Sequence, residues 1–277
     1  MAGALAEHFG AIEGASIEAN KGAYTSAWMI IFAVIAAIMV LIGIYHIKVL
    51  PSSQVPSTTK KTTSEIEREL MAVIADFFTK KHIFYYICFI ILYRLAEGFI
   101  MKIAPLFLRA SRDVGGLGLS LTEIGTLNGV FGSAAFVLGS LLAGIYVSKF
   151  GLKKTLFTLC CIFNLPFVAY TFLAVVQPTN VYLIGTCITM EYFGYGFGFV
   201  GLTLFMMQQI APGKHQMSHY AFASGIMNLG VMLPGMVSGY FSDLLGYRNF
   251  FIYVLIATIP AFLITYFIPF TYDDSKK

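Results

Sequence analysis

Residues 28–49, WMIIFAVIAAIMVLIGIYHIKV, form an apolar run whose only basic residues, His46 and Lys48, lie near its end. A helix needs about 20 predominantly apolar residues to cross the hydrocarbon core of a bilayer. The run has that length, so it predicts a transmembrane helix and places the chain in a lipid bilayer.

Similar stretches continue along the chain, and their composition agrees with the first. Hydrophobic residues make up 58% of the sequence and charged residues 12%, and the mean hydropathy is +0.78. Too little polar surface is available to cover a soluble globule of this size. The predicted fold is therefore an all-α polytopic membrane protein with about seven transmembrane helices, the other six at residues 83–107, 121–147, 155–176, 181–207, 220–242 and 250–268.

The basic residues predict how these helices are oriented. Twelve of the 18 lysines and arginines fall on the side that holds residues 50–81, five fall on the other side, and Arg94 lies within a span. Cytoplasmic loops carry the excess of basic residues, so the amino end is predicted outside and the carboxy end in the cytoplasm. The net charge is only +4 and the basic residues form short tracts, which argues against a nucleic-acid partner.

A polar segment separates the first two spans. PSSQVPSTTKKTT, residues 51–63, has the composition of a linker, and residues 64–81 repeat apolar side chains at helical spacing. Ser64 and Glu67 have capping-box spacing and predict the start of that helix. The helix is predicted to lie in the cytoplasmic membrane interface, and an ordinary soluble amphipathic helix is the alternative.

Charged residues inside the spans are the first candidates for function. Arg94 and Glu97 are three residues apart and lie on neighbouring parts of one helix face. Either they form a structural ion pair, or protonation of Glu97 frees Arg94 for an anionic substrate. Glu191 has no basic residue within a turn of its own helix, so its partner comes from another helix or its carboxyl is protonated, and a protonated carboxyl there can carry a proton.

Other polar and small residues have weaker assignments. Glu123 with Ser120 is predicted to cap a helix. Asn128 and Asn228 are predicted to line a wet cavity or to bond across helices, and Tyr195 is predicted either to stack on a sugar or to pack. Close helix contacts are predicted at three pairs of small residues: Gly194 with Gly198, Gly125 with Gly129, and Ser140 with Gly144.

Enzymatic chemistry finds no support in the sequence. The motifs H-E-x-x-H and G-x-S-x-G do not occur, and no aspartate lies inside a span. The four cysteines sit in apolar segments without a histidine at ligand spacing. GFGFVG, residues 196–201, lies inside an apolar helix and so lacks the strand of a dinucleotide site. The sequence predicts a non-enzymatic protein without cofactor or metal.

Two stretches echo one another. GIYVSKFGLKK, residues 144–154, and GYFSDLLGYRN, residues 239–249, each end the middle helix of a three-helix group, on opposite sides of the membrane. This arrangement is typical of an inverted repeat in a transporter, where such loops latch alternate sides; a simple loop clamp is the alternative. The residues assigned to these gating loops are Gly144, Ser148, Lys149, Gly151 and Lys153 in the first copy and Gly239, Asp243, Gly246 and Arg248 in the second.

The first copy resembles the loop signature of the major facilitator superfamily, roughly G-x-x-x-D-R-x-G-R-K, with Ser148 in place of the acidic residue and Lys149 in place of the arginine. YRLAEGFIMKIAPLFLR, residues 93–109, and MEYFGYGFGFVGLTLFMM, residues 190–207, resemble helices of AmpG-type muropeptide permeases. The resemblance implies proton-driven import of anhydromuropeptides across the bacterial inner membrane. It also implies that Arg94, Glu97 and Glu191 occupy polar positions of the family's helices.

The resemblance further implies a domain organisation. Residues 1–49 are then the remnant of an amino-terminal half with its last helix, residues 50–81 the cytoplasmic linker, and residues 82–277 the six-helix carboxy-terminal half. The remaining helices of the first half are the partner that this chain requires. Two alternatives stay open: a permease for another sugar- or nucleotide-linked solute, and a truncated membrane module that transports nothing.

Overall fold

The computed structural model describes residues 2–12, 18–49 and 62–272 of the chain, and the regular structure within these ranges is helical. Residues 50–61 of the predicted linker and residues 273–277, including Lys276 and Lys277, lie outside the described residues. The α-helices are α1 Ala2–His8, α2 Lys21–Val49, α3 Thr63–Thr79, α4 Ile83–Tyr93, α5 Leu95–Arg109, α6 Leu121–Thr126, α7 Ser133–Phe150, α8 Leu152–Asn164, α9 Phe167–Val176, α10 Val181–Phe205, α11 Gln216–Ala257 and α12 Ile259–Tyr266. π-Helical turns at Leu127–Gly132 and Met206–Ile210 extend this set.

All seven predicted spans coincide with helical segments. Five described segments are long and apolar enough to cross a membrane: Lys21–Val49, Ile83–Arg109, Leu121–Phe150, Leu152–Val176 and Gln216–Tyr266. The last has 51 residues, about twice what a bilayer needs, and it contains two predicted spans separated by non-helical backbone at Gly246. The remaining predicted span, residues 181–207, corresponds to α10, which has 25 residues and carries Glu191 in its middle.

The bundle is built around α10 and α5. α10 packs on α7 and α8, and α5 packs on α11. The close contacts at α10 use the predicted glycines: an added Cβ would meet Pro166 at Gly194 and Phe163 at Gly198. The same prediction is wrong for Gly129 and Gly144, where no heavy atom lies within 4 Å of an added Cβ. By contrast, α2 is largely exposed in this chain and packs mainly on α1.

The amphipathic helix after the linker is α3, and its start differs from the prediction. The backbone N–H of Thr62 donates to the Glu65 carboxylate at 2.8 Å, so this pair caps the helix and Ser64 with Glu67 does not. The helix begins two residues earlier than the spacing of Ser64 and Glu67 indicated, because Thr62 with Glu65 offers an equivalent capping box. Ser120 and Glu123 do form their predicted capping box at the start of α6.

The carboxy-terminal end of α3 is attached to the bundle. Val73 and Phe77 are buried, and the Phe77 ring contacts His219 of α11 edge-on. Lys80, which follows the helix, donates from Nζ to the carbonyl oxygens of Ile210 and Pro212, each at 2.6 Å. Ile210 ends the π-helical turn after α10 and Pro212 follows it, so the ammonium group satisfies acceptors that the helix itself leaves open.

Candidate functional site in the helical bundle

A small cavity of about 110 Å³ lies inside the bundle. Both acidic residues that the sequence placed in mid-span, Glu97 and Glu191, line it, together with the predicted Asn128 and Tyr195. Four helical elements supply its walls: α5, the π-helical turn Leu127–Gly132, α9 and α10. The remaining lining residues are Ile100, Met101, Ala104, Pro105, Leu108, Tyr170 and Tyr192.

Arg94 and Glu97 form an ion pair at the junction of α4 and α5. Arg94 Nε donates to Glu97 Oε2 at 2.6 Å, and a second guanidinium nitrogen donates to Oε1. The two side chains are only 5% and 7% exposed. Arg94 has backbone angles φ −104° and ψ 7°, so the helix is interrupted there and the guanidinium can turn back onto the first turn of α5.

The pair has further neighbours on α10. The Arg94 guanidinium lies 5.3 Å from the centre of the Phe199 ring, an arrangement that favours a cation over an aromatic face. Tyr195 of the same helix lines the cavity together with Glu97. The ion pair is thus enclosed by one aromatic helix face, while Glu97 also borders the cavity.

Glu191 differs from Glu97 because no described residue neutralises its carboxyl. Among the described residues, no hydrogen bond or ion pair engages its side chain. The Arg94 guanidinium is already held by Glu97. Of the two forms that the sequence left open for Glu191, a carboxyl paired across helices and a protonated carboxyl, this geometry favours the protonated one.

The two predicted asparagines lie in different environments. Asn128 lies in the π-helical turn, and its Oδ1 is buried without a hydrogen-bond partner among the described atoms. Asn228 is exposed on α11 and donates to the Ser224 carbonyl of its own helix at 3.0 Å. Asn228 satisfies its amide within its own helix and does not border this cavity, so its place on the substrate and proton pathway stays a prediction.

Sequence reasoning missed two features of this site. Tyr170 of α9 lines the cavity and stacks on Phe251 of α11 at 5.5 Å, but one tyrosine in an apolar run gives no sign of the direction it faces. The π-helical turn at Leu127–Gly132 was also unforeseen. Such turns occur frequently at functional sites, and the only hint in the sequence was the polar Asn128 among apolar neighbours.

The two echoed loops adopt the same backbone conformation. Gly151 has φ 78° and ψ 149°, and Gly246 has φ 70° and ψ 160°. This region is essentially restricted to glycine, so each loop turns at its second matched glycine for the same steric reason. The first matched glycines, Gly144 and Gly239, are both exposed on helix surfaces.

The polar loop residues point outward or to their own helix. Ser148 Oγ donates to the Ile145 carbonyl of its own helix at 2.8 Å, and its role in gating stays a prediction. Lys149, Asp243 and Arg248 are exposed. The described part of the chain holds no cluster of three or more histidine, cysteine or acidic side chains that could bind a metal ion.

Known proteins resemble this chain over most of its length. The family model described as Major Facilitator Superfamily matches residues 1–210 and 92–277. The anhydromuropeptide permease of Escherichia coli strain K12 is 22% identical over 209 residues, which cover 76% of this chain and 41% of that protein. A Rickettsia bellii protein that carries the name AmpG 1 is 25% identical over 257 residues, which cover 89% of this chain and 60% of that protein. The chain thus spans between two fifths and three fifths of these relatives.

Proposed function

Because the chain belongs to the Major Facilitator Superfamily, we propose that it is part of a proton-coupled permease that imports anhydromuropeptide-like solutes across the bacterial inner membrane. The observation that carries the proposal is the cavity that both Glu97 and Glu191 line. Ionisable groups at membrane depth are costly and mark proton or substrate paths. The name of the Escherichia coli relative supplies the solute class.

The two carboxyls take different roles in this proposal. Glu191 carries the proton, because it borders the cavity and has no cation among the described residues to hold it ionised. Glu97 couples that proton to the solute. When Glu97 accepts a proton, its bond to Arg94 weakens, and the guanidinium becomes available to an anionic group such as the carboxylate of a peptide stem.

Alternating access supplies the rest of the proposal. Secondary transporters rock one half against the other around a site at their interface. Residues 82–277 form one half in this scheme, residues 50–81 the cytoplasmic linker, and residues 1–49 the end of the other half. The chain then acts together with an amino-terminal half, with its carboxy end in the cytoplasm, and the loops at Gly151 and Gly246 alternate as gates on opposite sides.

The experiment uses proteoliposomes that carry the chain, alone and together with the amino-terminal half of its transporter. Uptake of labelled anhydromuropeptide is measured with and without an inward proton gradient. We expect gradient-driven uptake only with both halves. Equal uptake with and without the gradient removes proton coupling, while driven uptake of another sugar-linked solute in place of the muropeptide reassigns the substrate.

The variant Glu191→Gln tests the proton carrier. Glutamine keeps the size and polarity of the side chain but cannot release a proton, so gradient-driven uptake should be lost while exchange of labelled for unlabelled solute continues. Glu123→Gln is the matched control, because that carboxylate caps α6 and accepts from the Ser120 backbone N–H at 2.8 Å. If Glu191→Gln retains full driven uptake, Glu191 is a packing residue.

A further inference from the structure

The unpaired oxygen of Asn128 identifies an unrecognised partner for the proton. Asn128 Oδ1 is buried and accepts no hydrogen bond from a described residue. Buried polar atoms in proteins are almost always paired, so each exception requires an explanation. The side chain lines the same cavity as Glu191, which itself has no partner among the described groups.

The π-helical turn holds Asn128 against α10. Leu127 at its start approaches Gly185, and Gly132 at its end lies against the ring of Tyr192. Asn128 lies between these two contacts on the same turn. Its amide is therefore held beside the helix that carries Glu191, and an extra residue in a helical turn is a common means of redirecting a side chain at a functional site.

Only some of the other side chains around the cavity can donate a hydrogen bond to Asn128 Oδ1. Glu97 is occupied by Arg94 and as a carboxylate accepts only. A protonated Glu191 carboxyl donates one O–H, whereas the ionised form has none. Tyrosine hydroxyls can donate whatever the state of Glu191. The titratable groups that border the cavity with Glu191 are Glu97 of α5, Tyr170 of α9, and Tyr192 and Tyr195 of α10.

We infer that Asn128 Oδ1 accepts the proton of the neutral Glu191 carboxyl, either directly or through one water in the cavity. The cavity volume of about 110 Å³ accommodates a bridging water, which needs a cavity of about 10–15 Å³. Asn128 is then a positioning residue that is bonded only while Glu191 carries its proton. The role of this bond in transport rests on the proposed function; the bond itself does not.

Infrared difference spectroscopy of the chain in lipid vesicles tests the bond without any solute. A protonated carboxyl absorbs at a lower wavenumber when it donates a hydrogen bond than when it is free. Glu191→Gln should remove one such band and thereby assign it. Asn128→Leu should move that band to higher wavenumber, and Asn128→Ala should do the same where the leucine variant does not insert.

Asn164→Leu is the matched control. Asn164 also has a buried Oδ1 without a partner among the described atoms, but it lies in α8, away from the cavity. Its replacement should leave the Glu191 band in place. The inference is overturned if no band depends on Glu191 at any pH, if the band stays in place without Asn128, or if Asn164→Leu moves it equally. A shifted band, together with no gradient-driven uptake when both halves are present, would instead refute the proposed function alone.

Discussion

Replacing Glu97 by leucine tests how strongly the buried ion pair stabilises the fold. The variant leaves Arg94 with 5% of its side chain exposed and without its two bonds to the carboxylate. Arginine stays charged at every accessible pH, and an unpaired arginine at the centre of a membrane helix costs about 3 kcal/mol. The Glu97→Leu variant should therefore lose about 3 kcal/mol of stability, roughly a 100-fold change in the folded-to-unfolded ratio.

Arg94→Met should lose less stability than Glu97→Leu, so the comparison tests the unpaired arginine specifically. In Arg94→Met the carboxyl of Glu97 is left alone, but it can take up a proton and become neutral, as an isolated buried acid does. The double variant Arg94→Met with Glu97→Leu removes both charges, and apolar replacement of a buried pair is commonly close to neutral. We expect the double variant to be more stable than Glu97→Leu alone.

The assay is unfolding of the chain by SDS in mixed micelles, followed by loss of helicity. Arg109→Met serves as the control, because this arginine ends α5 and is exposed, so its loss should change stability by less than about 1 kcal/mol. The reasoning is refuted if Glu97→Leu costs no more than Arg109→Met, or if the double variant is as unstable as Glu97→Leu.

Two further variants address the loop and the linker helix. Gly246→Ala should lower the free energy of unfolding by about 1–3 kcal/mol, because backbone angles of φ 70° and ψ 160° are strained for a residue with a side chain. Gly239→Ala, on an open helix surface, should be neutral or stabilising in the same unfolding assay. Equal effects of the two variants would contradict the assignment of Gly246 as the turn of the loop. Lys80→Met removes the donor to two carbonyl groups, and each carbonyl left unpaired costs about 1–3 kcal/mol. The amides at the end of α10 should therefore exchange hydrogen faster in Lys80→Met, but not in Lys81→Met, which changes an exposed side chain. Unchanged exchange in Lys80→Met would show that water replaces the ammonium group.

The sequence was sufficient for features that depend on neighbours along the chain. The spacing of Arg94 and Glu97 predicted their contact, because residues three apart share a helix face. The capping box of Ser120 and Glu123 was found for the same reason. The prediction that Ser64 caps α3 was wrong because Thr62 with Glu65 and Ser64 with Glu67 both have capping-box spacing, and the local sequence does not choose between them.

Features that depend on other helices could not be predicted this way. Asn128 and Asn228 are both single polar residues in apolar runs, yet one faces the cavity and the other satisfies its amide on its own helix. The difference arises from the π-helical turn and from the helices packed on it. Hydropathy places a residue at a depth in the membrane, but it does not select the helix that the residue faces.

The position of the cavity has a consequence for coupling. All of its lining residues lie between Glu97 and Tyr195, so the cavity between the two carboxyls is formed without α2 or any partner chain. In a transporter whose solute site lies between two halves, proton and solute would then bind at separate places. Glu97 borders the cavity and also holds Arg94. Glu97 therefore links the two sites: when its protonation state changes inside the bundle, the availability of the Arg94 guanidinium to a solute changes as well.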